Sequence, residues 1–224
     1  MSDTEQVAML TDGVNKGAWR RWRRAHPEIV PDLSAAKLCG ANLRAADLHR
    51  ANLKGADLTG ADLTAADFFE ADLSDANFTN AHFGAAIFVG ANLSRAGFYT
   101  ANLSWADFRG ADFSEASMAF CNLGGNDLSE TRGLDTVRHT APSEIGIDTI
   151  YRSKGRIPLA FLRGAGVPEH FIEYIPSLVA PGAIQFYSCF ISYSAKDQEF
   201  ADRLYLDLQN KGVRCWFAPH DIQG

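Results

Sequence analysis

An apolar residue stands at every fifth position of this chain for almost half its length. From Leu33 to Leu128 the twenty centres are all Leu, Phe or, once, Met118. Two residues before each centre stands Ala, seventeen times in succession from Ala36 to Ala116, until Cys121 and Asn126 end the run. The residue directly before the centre is mostly Asp or Asn, so the unit reads Ala-(Asp/Asn)-(Leu/Phe)-X-X. A period of five fits neither the helical nor the strand repeat, so no single regular element puts these centres on one face. The chain must turn once per repeat, with the centre and the Ala inward and three positions toward water. Stacked turns then bury a column that no single repeat buries alone.

On these residues, 31–130 resemble the pentapeptide-repeat proteins. The resemblance implies a mainly β fold, a right-handed quadrilateral β-helix with four repeats per coil. Twenty repeats then make about five coils, a rod of about 24 Å at ~4.8 Å per stacked strand. Residues twenty apart share a side, which sets Phe68, Phe88 and Phe108 on one side and Phe78 and Phe98 on another. Lys37, His82, Ile87, Gly97 and Ser117 depart from the Asp/Asn column and alter only the surface, where Ile87 and Val89 form an apolar patch.

The family includes DNA mimics that bind topoisomerases, and residues 31–130 hold 13 acids and 6 bases. Nine of those acids lie in the column before the centre, where Asp and Asn hydrogen-bond nearby backbone. The two variable columns carry four acids against five bases, a mixed surface. The expectation is a rod that binds an unknown protein partner, with a DNA-mimic binder of a type II topoisomerase as an alternative.

Both ends of such a rod have strand edges that need cover. Residues 1–30 supply an N-terminal capping helix over Gly17–His26, with Trp19 and Trp22 closing the first coil and Arg20, Arg21, Arg23 and Arg24 solvated. Residues 131–184 read as a helical cap and linker. A short helix is expected after an N-capping Ser143, and two more that open with Pro158 and Pro168 at their first position. His139 and His170 read as packing or surface residues.

At residue 185 the pattern changes to strand, helix, strand. Gln185–Tyr193 is aromatic and β-branched; Phe200, Leu204 and Leu208 follow at helical spacing; Val213–Phe217 is a second strand. This opens a parallel α/β sheet. Phe190-Ile191-Ser192-Tyr193 with Lys196-Asp197, and Gly212–Phe217 running into Ala218-Pro219-His220-Asp221-Ile222, resemble the first third of a Toll/interleukin-1 receptor (TIR) domain. Residues 185–224 are accordingly expected to form a truncated TIR domain, an incomplete flavodoxin-like α/β unit. The resemblance implies assembly with other TIR domains or self-assembly. In a complete domain it also implies NAD+ hydrolysis by a Glu on a later helix, beyond Gly224. It places Ser192, Tyr193, Trp216 and Asp221 around a nucleotide site, with no cofactor bound by these residues and no catalytic residue among them. A non-enzymatic TIR adaptor is the alternative.

Composition narrows the setting. A net charge of -6 over 224 residues gives no overall attraction to nucleic acid or anionic lipid. The acidic, polar start and the lack of a long apolar run point to the cytoplasm and to no membrane partner. Cys39, Cys121, Cys189 and Cys215 show neither metal-ligand nor disulfide spacing and read as reduced.

Overall fold

The structure is a computed structural model that describes residues 3–11, 17–179, 188–191, 202–204, 206–208 and 214–217. The chain forms two compact units, Met1–Ile175 and Pro176–Gly224.

In the first unit each pentapeptide is one side of a coil. The centre carbonyl accepts from the Ala three residues on, as in Ala36 N to Leu33 O at 3.1 Å, which closes a four-residue turn. The third residue of that turn has positive φ in all nineteen repeats from Ala35 to Gly125, thirteen of them not glycine. The residue before the centre braces the bend. Each of the fifteen Asp and Asn side chains in that column accepts the backbone N–H two residues on through Oδ1.

Successive coils pair in parallel at a spacing of twenty residues, in four ladders that define four faces. The first runs Asp32-Asn52-Asp72-Asn92-Asp112-Arg132 and the third Asn42-Asp62-His82-Asn102-Asn122-Glu144. The second runs Lys37-Asp57-Asn77-Gly97 and continues through β1 (Gly97–Tyr99), β2 (Ser117–Ala119) and β3 (Arg138–His139). The fourth runs Asp47-Asp67-Ile87-Asp107.

Inside, every centre is at most 2% exposed. Phe68, Phe88 and Phe108 stack at 4.9 and 5.2 Å, and Phe78 stacks on Phe98 at 5.1 Å, the shared sides expected from the spacing. These distances follow the strand-to-strand spacing, because rings on adjacent coils inherit the backbone repeat. Phe83 wedges edge-on between the two stacks, 5.0 Å from Phe78 and 5.2 Å from Phe88.

Several details depart from the expectations of the sequence. First, the amino terminus holds two helices, α1 (Asp3–Thr11) and α2 (Ala18–Ala25), and α1 buries Gln6 and Leu10. Second, Arg23 is not solvated but 3% exposed, since its guanidinium reaches the backbone carbonyls of Ile29 and His49.

Third, parallel pairing does not stop at residue 130. Ser117 pairs with Arg138 and Asn122 with Glu144, so the offset grows from 20 to 21 and then 22 as the repeat is lost. Residues 131–144 therefore add a further partial coil before the helices begin. Fourth, Ser143 caps no helix. Its Oγ accepts Cys121 N at 3.2 Å, and α3 (Ile147–Arg152) starts after Gly146.

Pro158 is the N-cap of α4 (Leu159–Gly164) rather than its first residue, and α5 (Glu169–Val179) follows Pro168 and carries Pro176 inside it. Thr149 of α3 donates to Leu123 O at 2.7 Å, and Ser153 Oγ just after it accepts Leu128 N at 3.0 Å. Strand groups of the last repeats thus find partners.

In the second unit β4 (Ser188–Ile191) pairs in parallel with β5 (Arg214–Phe217), and residues 202–204 and 206–208 between them are helical. A parallel pair requires such a crossover.

Candidate functional site

Among the described residues, the paired strands of the second unit, the amino end of the rod and the faces of the rod bear on recognition. In the second unit, Phe190 pairs with Trp216 and Ile191 with Phe217, which sets the carboxyl ends of β4 and β5 side by side. Open α/β sheets take their ligands at that end. Of the four residues expected around a nucleotide, Trp216 lies in β5, while Ser192, Tyr193 and Asp221 lie outside the described residues.

At the amino end of the rod, Trp19 Nε1–H donates to Asp47 O at 2.7 Å. Arg23 Nη1 donates to Ile29 O at 2.9 Å and Nη2 to His49 O at 3.0 Å, with His49 Nε2 2.8 Å from Nη2. His49 Nδ1 is in turn 2.5 Å from Asp47 Oδ1. An Asp beside a His suggests acid–base chemistry, but both ring nitrogens are engaged within the cluster. It is a tie between α2 and the first coil, and no position is left for a substrate proton. A cleft of about 260 Å³ beside it is lined by Leu10, Trp19, Arg20, Leu43, Arg44 and Asp47. Arg44 there is 3.2 Å from Asp62. Among the described residues no His, Cys, Asp or Glu cluster could hold a metal ion, and Cys39 and Cys121 are unpaired.

The four faces differ sharply in charge over residues 31–130. The first carries Asp32, Asp72, Asp75, Asp112 and Glu115 with Lys54 and Arg95, net -3. The fourth carries Asp47, Asp67, Glu70, Asp107, Asp127 and Glu130 with Arg50 and Arg109, net -4. Arg50 pairs with Glu70 at 2.8 Å and Arg95 with Asp75 at 2.7 Å, each one coil apart. The second face has only Lys37 and Asp57, and the third only Arg44 and Asp62, all in the first two coils. Sequence counting by column hid this partition, because the faces sort by every fourth repeat. On the uncharged part of the second and third faces stand Tyr99, Trp105 and Phe120, each about half exposed.

The rod's geometry defines a parallel β-helix built on pentapeptides, followed by an opening α/β unit. Comparison with known families agrees. The pentapeptide repeats family matches residues 32–64, 66–104 and 98–132, and the TIR domain family matches 189–224. The chain thus joins a pentapeptide-repeat β-helix to a segment that matches the TIR domain family.

Among solved structures, HetL from the cyanobacterium Nostoc sp. Strain PCC 7120 is 36% identical over 45% of this chain and 46% of its own, with a TM-score of 0.30. HetL is described as a pentapeptide repeat protein involved in heterocyst differentiation regulation. Rfr23 from the cyanobacterium Cyanothece 51142 is 31% identical over 45% of this chain and 62% of its own, with a TM-score of 0.28. QnrB1, a plasmid-mediated fluoroquinolone resistance protein, is 20% identical over 52% and 61%, with a TM-score of 0.41. This chain therefore spans less than two thirds of each of these three proteins. No curated protein matches it.

Proposed function

We propose that the chain is a cytoplasmic signalling or defence protein in which the β-helix of about five coils is a capped recognition arm and the TIR unit is the effector. The observation that carries this reading is the union, in one chain, of the four-ladder rod with a parallel β4–β5 pair inside a TIR family match. The rod contributes a surface for binding, and α2 at one end and α3 at the other serve as its caps. No helix among the described residues is long and apolar enough to cross a membrane.

TIR units associate with other TIR units, and proximity imposed by the rods would set the output. In the complete effector we propose NAD+ as the substrate, with Ser192, Tyr193, Trp216 and Asp221 at the carboxyl ends of the strands. Nicotinamide release from NAD+ by the protein isolated from its source cells, lost in Trp216→Ala, is the expected result. A protein that assembles but leaves NAD+ intact would instead be an adaptor. One observation favours a second reading: the whole net charge of the repeat lies on the adjoining first and fourth faces. That acidic surface suits a basic partner such as a topoisomerase, although four bases interrupt it. Unchanged gyrase supercoiling at micromolar protein would remove this reading.

A further inference from the structure

We infer that the second face of the rod is a self-association surface, on which two copies of this chain pack face to face about a two-fold axis. Charge leaves the second and third faces, since each carries one acid and one base, all in the first two coils. On the second face, outward positions from Thr59 through Asn77, Thr79, Gly97, Thr100 and Ser117 to Phe120 include no ionisable acid or base, Tyr99 aside, and Arg138, next on the ladder after Ser117, lies 3.7 Å from Glu115. Two copies apposed through their first or fourth faces would set net charges of -3 or -4 against themselves. That repulsion disfavours every self-pairing that uses those faces. The apolar patch of Phe69, Ile87 and Val89 is caught by the same objection, since its ladder sets Asp67 and Asp107 on either side of Ile87.

Shape then selects the second. Gly97 and Ser117 stand where the two preceding coils carry Asp57 and Asn77, and Ala119 is small and buried, so the face dips there. The dip is a trough of about 170 Å³ whose rim includes Thr79, Tyr99 and Thr140. Tyr99, 49% exposed, stands at the rim, and Phe120, 55% exposed, packs edge-on against it at 5.7 Å. Knob and trough thus lie on one face. An isologous contact requires such a surface, in which residue i of one copy meets residue j of the other and the reverse. Tyr99 of each copy enters the trough of its partner, and its hydroxyl reaches the Thr and Ser hydroxyls that line it, as a half-buried tyrosine needs. Aromatic rings in a charge-poor centre are the composition of interface cores.

The inference rests on the rod alone and is independent of NAD+ chemistry, so either can fail without the other. Sedimentation equilibrium of the whole chain is expected to show a dimer that survives raised salt, because no ion pair holds it. Tyr99→Glu and Ser117→Arg should each weaken dimerisation at least ~30-fold, the loss typical of an interface hot spot. Val89→Glu on the fourth face should leave the dimer unchanged. Circular dichroism would verify that the variants keep the fold; Ser117→Arg is the independent check should Tyr99→Glu unfold. A monomeric wild type at about 100 µM overturns the inference. So does a dimer that persists in both second-face variants, or one that Val89→Glu dissolves.

Discussion

At the residue scale the repeat is held by two backbone devices, and the sequence disclosed only one. The Asp/Asn column was legible because those side chains bond nearby backbone, and all fifteen do so. The left-handed corner was not, because thirteen different non-glycine residues including Thr100, Trp105 and Arg95 occupy it and look like free choice. Stacking on both sides overrides their local preference. The corner's strain is testable at Gly60, where a Cβ would meet nothing within 4 Å but φ is +66°. Gly60→Val should lower stability by about 1–2 kcal/mol in urea denaturation, the left-handed penalty alone. Gly133→Ala should cost more, since its Cβ would collide with the Ser114 backbone nitrogen.

The Asp column also carries a pH dependence. The Thr59 hydroxyl, then Cys39 and the Thr59 N–H, hold the Asp57 carboxyl below its ordinary range, and the Ser114 hydroxyl does the same for Asp112. Unfolded carboxylates titrate near ~3.9. A value depressed by folding gives stability that is complete above that point and fades as pH falls through the folded value. The urea midpoint should therefore drop as pH falls below about 4, and Asp57→Asn with Asp112→Asn should blunt the drop while keeping the Oδ1 acceptors.

At the element scale, the helices at the two ends are where the sequence was least informative. The run Ala-Trp-Arg-Arg-Trp-Arg-Arg shows a helix with two Trp on one side, yet Arg23 shares the side of Trp19, and a charge count cannot separate it from its neighbours. Its partners are backbone carbonyls of residues 29 and 49, which no side-chain pattern records. Arg23→Ala should cost about 2–3 kcal/mol through the carbonyls it orphans, whereas Arg20→Ala and Arg24→Ala, both exposed, should change stability by under ~0.5 kcal/mol.

The partial coil beyond residue 130 was hidden for a different reason: each added residue breaks the period of five while leaving the pairing intact. Its last strand carries His139, whose ring packs edge-on to Phe161 of α4 at 4.8 Å, with neither nitrogen hydrogen-bonded. Burial pushes its pKa down. With its folded value depressed, it gives stability that is complete above ~6.5 and fades as pH falls from there through the folded value. Its ring signals should titrate below the ordinary histidine value in an NMR series; titration at or above it would show that α4 does not shield the ring.

At the scale of the whole molecule, stacked coils contact only their neighbours, so stability is close to a sum of coil interfaces. The sum is uneven. Phe83 touches Phe68, Phe78, Phe88 and Phe98, so one side chain spans the two aromatic stacks. Phe83→Ala should cost about 3–5 kcal/mol and lower the rod's thermal transition by roughly 10 °C. The second compact unit, from Pro176 onward, has its own contacts and its own strand pair. Heat unfolding of the whole chain should then depart from a single two-state transition, with a calorimetric enthalpy above the van't Hoff value. Phe83→Ala should move only the rod's component. A single transition, with equal enthalpies, that shifts as a whole in Phe83→Ala would mean that the two units unfold as one, and the separation of arm from effector would be lost with it.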